Sequence, residues 1–182
     1  EVIPDFHNLD SRLAALDEMI AADPCERLAE CAPALVMIDE HRHLADQLRD
    51  CLAGLPKRIT HNDTKISNML FSREDDAALA VIDLDTCMPG YLLFDFGDMA
   101  RGACSGKAED HRELEEVCVR EEIFAALAEG YLAGLAGVIT DDERRSLLLG
   151  AQVMTLMLAV RFVTDYLDGD NYFQVSRPGH NL

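Results

Sequence analysis

Apolar residues recur at helical spacing through the first and last thirds of the chain, and this period is lost between residues 57 and 92. Amphipathic helices are therefore predicted over 10–22 and over 34–53, where apolar side chains return every three or four positions. The second segment runs into Gly54-Leu55-Pro56, in which a glycine followed by a proline is a helix stop signal.

Two more helices are predicted in the C-terminal half of the chain. The first covers residues 113–135. The second begins at Thr140, because Thr140-Asp141-Asp142-Glu143 has the form of a capping box. In that motif the threonine hydroxyl accepts from the amide of the fourth residue, whose carboxylate accepts from the threonine amide. This last helix is predicted to continue to about Leu167, before Gly169.

The middle of the chain has the pattern of a β-hairpin. Two short apolar runs, Met69–Phe71 and Leu79–Ile82, are separated by the polar turn Ser72–Asp76. The fold class predicted is therefore mainly α with a small β-hairpin (α+β), in one domain over residues 1–182. Functional residues concentrate in non-helical segments, and here the non-helical segment is also the one rich in unusual polar residues.

Composition limits the choice of partners. The chain has 182 residues, of which 49% are hydrophobic, which is enough for one sizeable core. A formal net charge of -18 argues against binding to nucleic acid or to an anionic membrane surface. ATP is still compatible with this charge, because local cations and magnesium set the field at a phosphate site.

The cysteines and the apolar runs indicate a cytoplasmic protein. The six cysteines form no C-x-x-C pair and fit no zinc template, so reduced, mostly buried thiols are predicted. The sequence has no secretory signal, and no apolar run reaches the ~18 residues that a membrane span needs. The longest candidate, Leu147 to Val160, contains Gln152 and is followed by Arg161.

The candidate chemistry begins at His61-Asn62-Asp63-Thr64-Lys65-Ile66-Ser67-Asn68. A kinase catalytic loop has the form H-x-D-x-x-x-x-N, and His61, Asp63 and Asn68 fill its three fixed positions. The aspartate has to face the acceptor hydroxyl, while the asparagine faces the metal on the phosphates. A predicted strand follows directly, as the loop requires.

The returning strand supplies the second half of this site. It ends at Asp83, and Asp85 follows two residues later. In extended backbone such residues share a face, so both carboxylates are predicted to reach one metal site. Magnesium takes one or two carboxylates together with phosphate oxygens and water. Asn68, Asp83 and the phosphates of ATP provide that set.

The sequence Asp95-Phe96-Gly97 spells the D-F-G of protein kinases, but its position argues against a metal site. Only Asp83 follows Asn68 closely enough for a tight two-strand return. Asp95 is therefore interpreted as an N-cap or first-turn acid of the next helix. Asp98 and Arg101, spaced i,i+3, are predicted to pair on that helix.

These motifs resemble the aminoglycoside phosphotransferase and choline kinase family, which has the protein-kinase-like fold. Within it the likeness extends to kinases that phosphorylate N-acetylhexosamines at the anomeric position. The similar segments are His61 to Lys65, Val81 to Thr86, Met88-Pro89-Gly90, Asp95 to Asp98, Ile3 to Asn8, Arg161-Phe162 and Tyr172-Phe173.

The resemblance implies a role for each site residue. Asp63 would be the catalytic base toward the sugar hydroxyl, and Lys65 would neutralise charge on the moving phosphoryl group. Asn68 and Asp83 would hold Mg²⁺ and the phosphates of ATP. The substrate residues would be Arg161, Tyr172 and, with less support, Asp85. A surface cation and an interface aromatic residue are the simpler interpretation of Arg161 and Tyr172.

The resemblance also implies that this chain is the C-terminal lobe of the fold. A Gly-rich phosphate loop and a strand lysine are absent before residue 57, and Glu1 is not a start methionine. The chain is therefore expected to be a piece of a longer protein that lacks the N-terminal ATP-binding lobe. Little or no kinase activity is expected of the isolated piece.

Other functions stay open at this point. Choline, homoserine and aminoglycosides are alternative acceptors, since a fold does not choose its substrate. Asp83-Leu84-Asp85 imitates the D-x-D motif of a haloacid-dehalogenase-type phosphatase, although that motif follows the first strand of a parallel sheet. A non-catalytic kinase-like binding module is a third possibility. Metal binding by His7, His41 and His43 is disfavoured, because i,i+2 residues do not share a helix face.

Overall fold

A computed structural model describes residues 2–108 and 111–182 of the chain. The helices are α1 (Leu9–Ala22), α2 (Ala32–His41), α3 (His43–Leu52), α4 (Leu92–Cys104), α5 (Glu121–Gly134) and α6 (Asp141–Asp168). The strands are β1 (Arg58–Thr60), β2 (Met69–Phe71), β3 (Ala78–Val81) and β4 (Met88–Gly90). The predicted class, mainly helical with a small antiparallel sheet component, is confirmed.

Helix α6 is the centre of the core. Helices α1, α2, α3 and α4 all pack against it, and α5 packs against α4 in a second apolar cluster that includes Leu147 of α6. Its residues Val153, Val160 and Leu167 have no exposed surface. The predicted capping box is confirmed, since the Thr140 side chain accepts from the Glu143 amide and Glu143 accepts from the Thr140 amide. The helix ends at Gly169 in the left-handed conformation.

The length and composition of α6 would by themselves allow it to cross a membrane. The sequence-based expectation that no segment is long enough was therefore too strong. Within the described residues, however, α6 is the helix around which the other core helices pack. A central helix of a globular core passes the same test of length and hydropathy.

Two glycines allow α4 and α6 to cross closely. A Cβ atom added at Gly150 would lie 2.8 Å from the carbonyl carbon of Leu93 and closer still to its oxygen. A Cβ atom added at Gly97 would meet the backbone of Gly150. The two backbones therefore touch at this crossing, and Leu93, Gly97 and Gly150 set the distance between the helices.

The strands form two separate antiparallel pairs. Strand β2 pairs with β3, with Met69 opposite Val81, which confirms the predicted hairpin. Strand β1 pairs with β4, with Thr60 opposite Met88, and this second pair was not predicted. Three-residue strands leave almost no period in a sequence, so only the tertiary structure reveals them.

Two of the predicted helices have different bounds. The segment 34–53 is divided into α2 and α3, because the amide of Arg42 donates three residues back, to Asp39, and interrupts the helical ladder. The Arg42 guanidinium also pairs with Asp17 of α1. The segment 113–135 becomes helical only at Glu121, after a single 3-10 turn over Leu114–Glu116.

The cysteines are all free thiols, as predicted, but most are not buried. Cys31 and Cys104 are buried, whereas Cys25 and Cys118 are exposed. Burial raises the pKa of the Cys31 and Cys104 thiols, which disfavours their thiolate forms.

A partly buried ion pair joins β1 to the start of α6. The Arg58 Nε donates to Glu143 Oε1 at 2.8 Å and its Nη2 donates to Oε2 at 2.9 Å. The Glu143 side chain is 1% exposed. The hydrogen bonds from Arg58, followed by those from Thr140, lower the pKa of Glu143 to about 2 against its burial. This pair fixes the strand that leads into the candidate catalytic loop.

Acid should weaken this pair in a defined pH range. Because the folded-state pKa of Glu143 is below its ordinary value, its stabilisation is complete above pH ~4.5 and is lost as the pH falls toward 2. At pH 6 the unfolding free energy of wild type is expected to exceed that of Glu143→Gln. This difference should shrink by about 2 kcal/mol when the pH is lowered to 3. Urea unfolding at the two pH values measures this. Exposed Asp142→Asn is the control, and an advantage independent of pH would contradict the expectation.

Candidate active site

The loop between β1 and β2 is held by a carboxylate on α4. Asp95 Oδ2 accepts the amide of His61 at 2.9 Å, and Oδ1 accepts the amide of Asn62 at 2.7 Å. The Asp95 carbonyl accepts the hydroxyl of Thr64. Burial raises the pKa of Asp95, while the two amide hydrogen bonds oppose that shift. Asp95 lies in the first turn of α4, which confirms its structural interpretation.

His61 joins the same loop to the hairpin. Its Nε2 lies 2.9 Å from the carbonyl of Ile82, and its Nδ1 accepts the amide of Asp63 at 3.3 Å. In these two contacts the ring donates through Nε2 and accepts at Nδ1. The hydroxyl of Thr86 donates to the His61 carbonyl at 2.7 Å. The loop therefore has fixed contacts with both α4 and the segment after β3.

The structure brings Asp63, Lys65 and Asn68 together. Lys65 Nζ lies 2.8 Å from Asp63 Oδ2, and Asn68 Nδ2 donates to the same oxygen at 3.1 Å. Asn68 Nδ2 also donates to the Asp63 carbonyl at 2.9 Å. The hydrogen bond to Asp63 is the main cause that raises the pKa of Lys65, with further contributions from Asp83 and Asp98. Lys65 is therefore a cation at neutral pH.

Asp83 lies beside Asn68 through the register of the hairpin. The amide of Ile82 donates to the Asn68 carbonyl at 2.9 Å, and Asp83 is the next residue. Asp83 itself has a left-handed backbone, with φ 64°. Asparagine and aspartate tolerate this conformation better than most residues. The backbone therefore turns sharply directly after the strand, and the Asp83 carboxylate is close enough to Lys65 to contribute to its raised pKa.

Asp83 and Asp85 do not share one face of a strand, so this prediction was wrong. Strand β3 ends at Val81, and Leu84–Thr86 forms a 3-10 turn that contains Asp85. Asp85 is also not among the residues that line the cavity described below, and neither are Asn68 and Asp83. The same topology removes the basis of the D-x-D phosphatase alternative, because β3 pairs antiparallel with β2 and does not lie in a parallel sheet.

A cavity of about 660 Å³ opens beside the loop. Asp63, Lys65, Arg161 and Tyr172 all line it, although Arg161 and Tyr172 follow Asp63 in the sequence by about a hundred residues. The Arg161 guanidinium lies 5.4 Å from the ring centre of Tyr172 and 5.3 Å from that of Phe173. The two predicted substrate residues are therefore neighbours, on the same cavity as the predicted base.

Asp165 positions the segment that contains Tyr172 and Phe173, a role that no sequence motif indicated. Its buried carboxylate accepts the amide of Tyr172 at 2.7 Å and the amide of Phe173 at 3.0 Å. The side chain of Asn181 donates to it at 2.9 Å. These bonds hold the segment after α6 against the helix, one turn beyond Arg161.

His7 is a second residue whose position the sequence did not reveal. Its Nε2 lies 3.0 Å from the carbonyl of Asn62, and its ring contacts Phe6 and Phe94. Burial of the His7 ring lowers its pKa to about 4. His7 is therefore neutral at physiological pH. It lines the cavity and contacts the carbonyl of Asn62, a residue with a left-handed backbone. No group of three potential metal-ligating His, Cys, Asp or Glu side chains occurs in the described ranges.

Asp98 and Arg101 also line this cavity. Their predicted i,i+3 ion pair is confirmed, with Arg101 Nη2 2.9 Å from Asp98 Oδ1. The sequence identified the pair but not its place beside Asp63. Only the packing of α4 against the loop reveals that location.

The comparison with known families agrees with this geometry. A family model described as the phosphotransferase enzyme family matches residues 1–147 of the chain. The matched segment contains the whole loop, the hairpin and α4. Arg161 and Tyr172 lie beyond its end, on the part of the cavity that is formed by α6 and the segment after it.

Proposed function

The chain belongs to the phosphotransferase enzyme family, and we propose that the intact natural protein transfers the γ-phosphoryl group of ATP to the anomeric hydroxyl of an N-acetylhexosamine. In this proposal Asp63 is the catalytic base, and Lys65 neutralises charge on the transferred group. Asn68 and Asp83 hold Mg²⁺. Arg161 and Tyr172 contact the sugar, with Asp85 as the weakest candidate.

The contact between Asp63 and Asn68 carries the proposal. Asn68 Nδ2 donates to Asp63 Oδ2 at 3.1 Å, while the backbone of Asn68 is bonded to the residue before Asp83. The proposed base and the two proposed oxygen ligands therefore come from one loop and the hairpin that follows it. Phosphoryl transfer depends mainly on positioning and electrostatics, so such a fixed arrangement is what the chemistry requires.

The residues present suit a magnesium ion. Both hydrogen bonds from the Asn68 amide are donated by Nδ2, which leaves Oδ1 available to a cation. Asp83 adds a carboxylate, and magnesium prefers such hard oxygen ligands. With few protein ligands, the ion would take the phosphates of the nucleotide and water as its other partners. When bound, it would neutralise phosphate charge.

The apolar surface of the hairpin supports a nucleotide site next to these ligands. Leu79, Val81 and Leu84 are exposed in strand β3 and in the turn after it, close to Asp83. Exposed apolar side chains at this density are typical of a surface that contacts a ligand or a partner. In this proposal the purine ring of ATP lies against that surface.

A matching proposal concerns the isolated chain. The acceptor side of the site is present, whereas a Gly-rich phosphate loop and a strand lysine are not found before residue 57. We therefore expect the isolated chain to bind an acceptor and to turn over little ATP. Near-normal phosphotransfer by the isolated chain would refute this expectation.

An acceptor panel tests the proposed function. The intact natural protein is incubated with ATP and magnesium and with N-acetylglucosamine, N-acetylgalactosamine, choline, homoserine or an aminoglycoside. We expect ATP consumption to be at least ~10-fold faster with an N-acetylhexosamine, since pocket contacts discriminate acceptors by about this factor or more. The product should be the sugar 1-phosphate, identified by ³¹P NMR. Faster turnover of a cationic acceptor would reject the sugar assignment.

A further inference from the structure

The carboxylate of Asp98 is buried in the wall of the cavity with part of its hydrogen-bonding capacity unused. Asp98 is 5% exposed, and its Oδ1 accepts from Arg101 Nη2 at 2.9 Å. Its Oδ2 has less than 1 Å² of accessible surface and no hydrogen-bond partner within residues 2–108 and 111–182. Leaving a buried carboxylate oxygen without a donor is costly, so native proteins rarely do this without a reason.

Asp95, one turn earlier on α4, is a buried acid with a structural role and serves as a comparison for Asp98. It is buried to a similar extent, and each of its oxygens accepts a backbone amide from the loop. Within the described residues, Asp98 is fixed by one ion pair, and its second oxygen accepts no comparable hydrogen bond. Of these two acids it is Asp98 that lines the cavity with Asp63 and Lys65.

The charges around the cavity indicate which donor would bind there. Its described lining contains the cations Lys65, Arg101 and Arg161 and the carboxylates Asp63 and Asp98. A quaternary ammonium or a polyamine in this cavity would be repelled at close range by Lys65, Arg101 and Arg161. A neutral hydroxyl would not, and it can donate a hydrogen bond to a carboxylate.

From these observations we infer that Asp98, held in place by Arg101, accepts a hydrogen bond from a ring hydroxyl of a neutral polyhydroxylated acceptor, and that it thereby selects sugars over cationic acceptors. The terminal torsion of aspartate is broad, so a small rotation of the carboxylate presents Oδ2 to the cavity. The inference rests on the proposed function, because it assigns the specificity of the same acceptor site.

The main test compares kinetic constants of the intact protein with those of Asp98→Asn. The variant keeps the shape of the side chain but weakens it as an acceptor. We expect the KM for the best N-acetylhexosamine to rise at least ~10-fold, with less than about a threefold change in kcat and in the KM for ATP. Asp142→Asn is the matched control, because Asp142 forms the same i,i+3 pair with Arg145 on the exposed surface of α6.

Deoxy sugars identify the hydroxyl concerned. One monodeoxy analogue should bind wild type at least ~10-fold more weakly than the parent sugar, and it should lose no further affinity in Asp98→Asn. If that variant does not fold, as judged by circular dichroism, Asp98→Glu replaces it. Glutamate keeps the charge but displaces the carboxylate by one methylene, and it is expected to raise the same KM.

Binding of N-acetylglucosamine to the isolated chain by titration calorimetry gives a readout that does not depend on catalysis. The outcomes separate this inference from the proposed function. Sugar kinase activity with an unchanged acceptor KM in both Asp98 variants overturns the inference alone. A preference for choline or an aminoglycoside overturns both. Without phosphorylation of any acceptor, the inference also falls if the sugar binds equally to wild type and Asp98→Asn.

Discussion

Asp63→Asn is expected to lower the kcat of the intact protein by about 10³-fold, which is within the range measured for loss of a general base. The amide cannot accept the proton of the attacking hydroxyl. It also replaces the carboxylate oxygen that receives Lys65 Nζ at 2.8 Å and Asn68 Nδ2 at 3.1 Å. Steady-state ATP consumption at saturating acceptor measures this loss, and the acceptor KM is expected to change much less.

Two comparisons make this result specific. Asp50→Asn changes an exposed aspartate of α3 and should leave kcat unchanged. The thermal midpoint of Asp63→Asn should stay within a few degrees of wild type, because Asp63 is partly exposed and holds no element of the core. If Asp63→Asn kept more than about a tenth of wild-type kcat, Asp63 could not be the base.

Gly150→Ala is expected to destabilise the fold by about 3 kcal/mol or more, although alanine is the better helix former. The added methyl group would lie 2.8 Å from the carbonyl carbon of Leu93 and closer to its oxygen. These are backbone atoms of α4, so no side-chain rotation relieves the clash. The helices must separate, and the core between them loses contacts. For a chain of this size the thermal midpoint should fall by roughly 6–12 °C.

Gly102→Ala is the matched control for this substitution. Gly102 also lies in the helix pair, on α4, but a Cβ atom added there would meet nothing within 4 Å. It should therefore leave stability unchanged or raise it by up to about 1 kcal/mol, because alanine loses less backbone entropy. Equal thermal midpoints of the two variants would show that α4 and α6 do not cross closely at Gly150.

Local patterns in the sequence were sufficient for the elements with strong periods or marked ends. The capping box at Thr140 and the hairpin around Ser72–Asp76 were predicted correctly, because each depends on residues that are close in the chain. The break between α2 and α3 was missed, since Arg42 is held by Asp17 of another helix as well as by Asp39. The pairing of β1 with β4 joins strands too short to have a readable period.

The sequence by itself determined the chemistry that this protein has available. The spacing of His61, Asp63 and Asn68 and the acid after the next strand are local features, and a tight hairpin allows them few other arrangements. The sequence also determines the acidic net charge, which follows from composition and does not depend on the fold.

Only the tertiary structure decided what surrounds that chemistry. Packing of α4 and α6 brings Asp98 and Arg161 to the same cavity as Asp63. The same packing places Asp95 where it accepts two backbone amides of the loop. It leaves Asp98 Oδ2 without a hydrogen-bond partner in the described part of the chain. The physical reason is that burial and the convergence of distant side chains arise from helices that meet through long-range contacts, which the local pattern of residues does not encode.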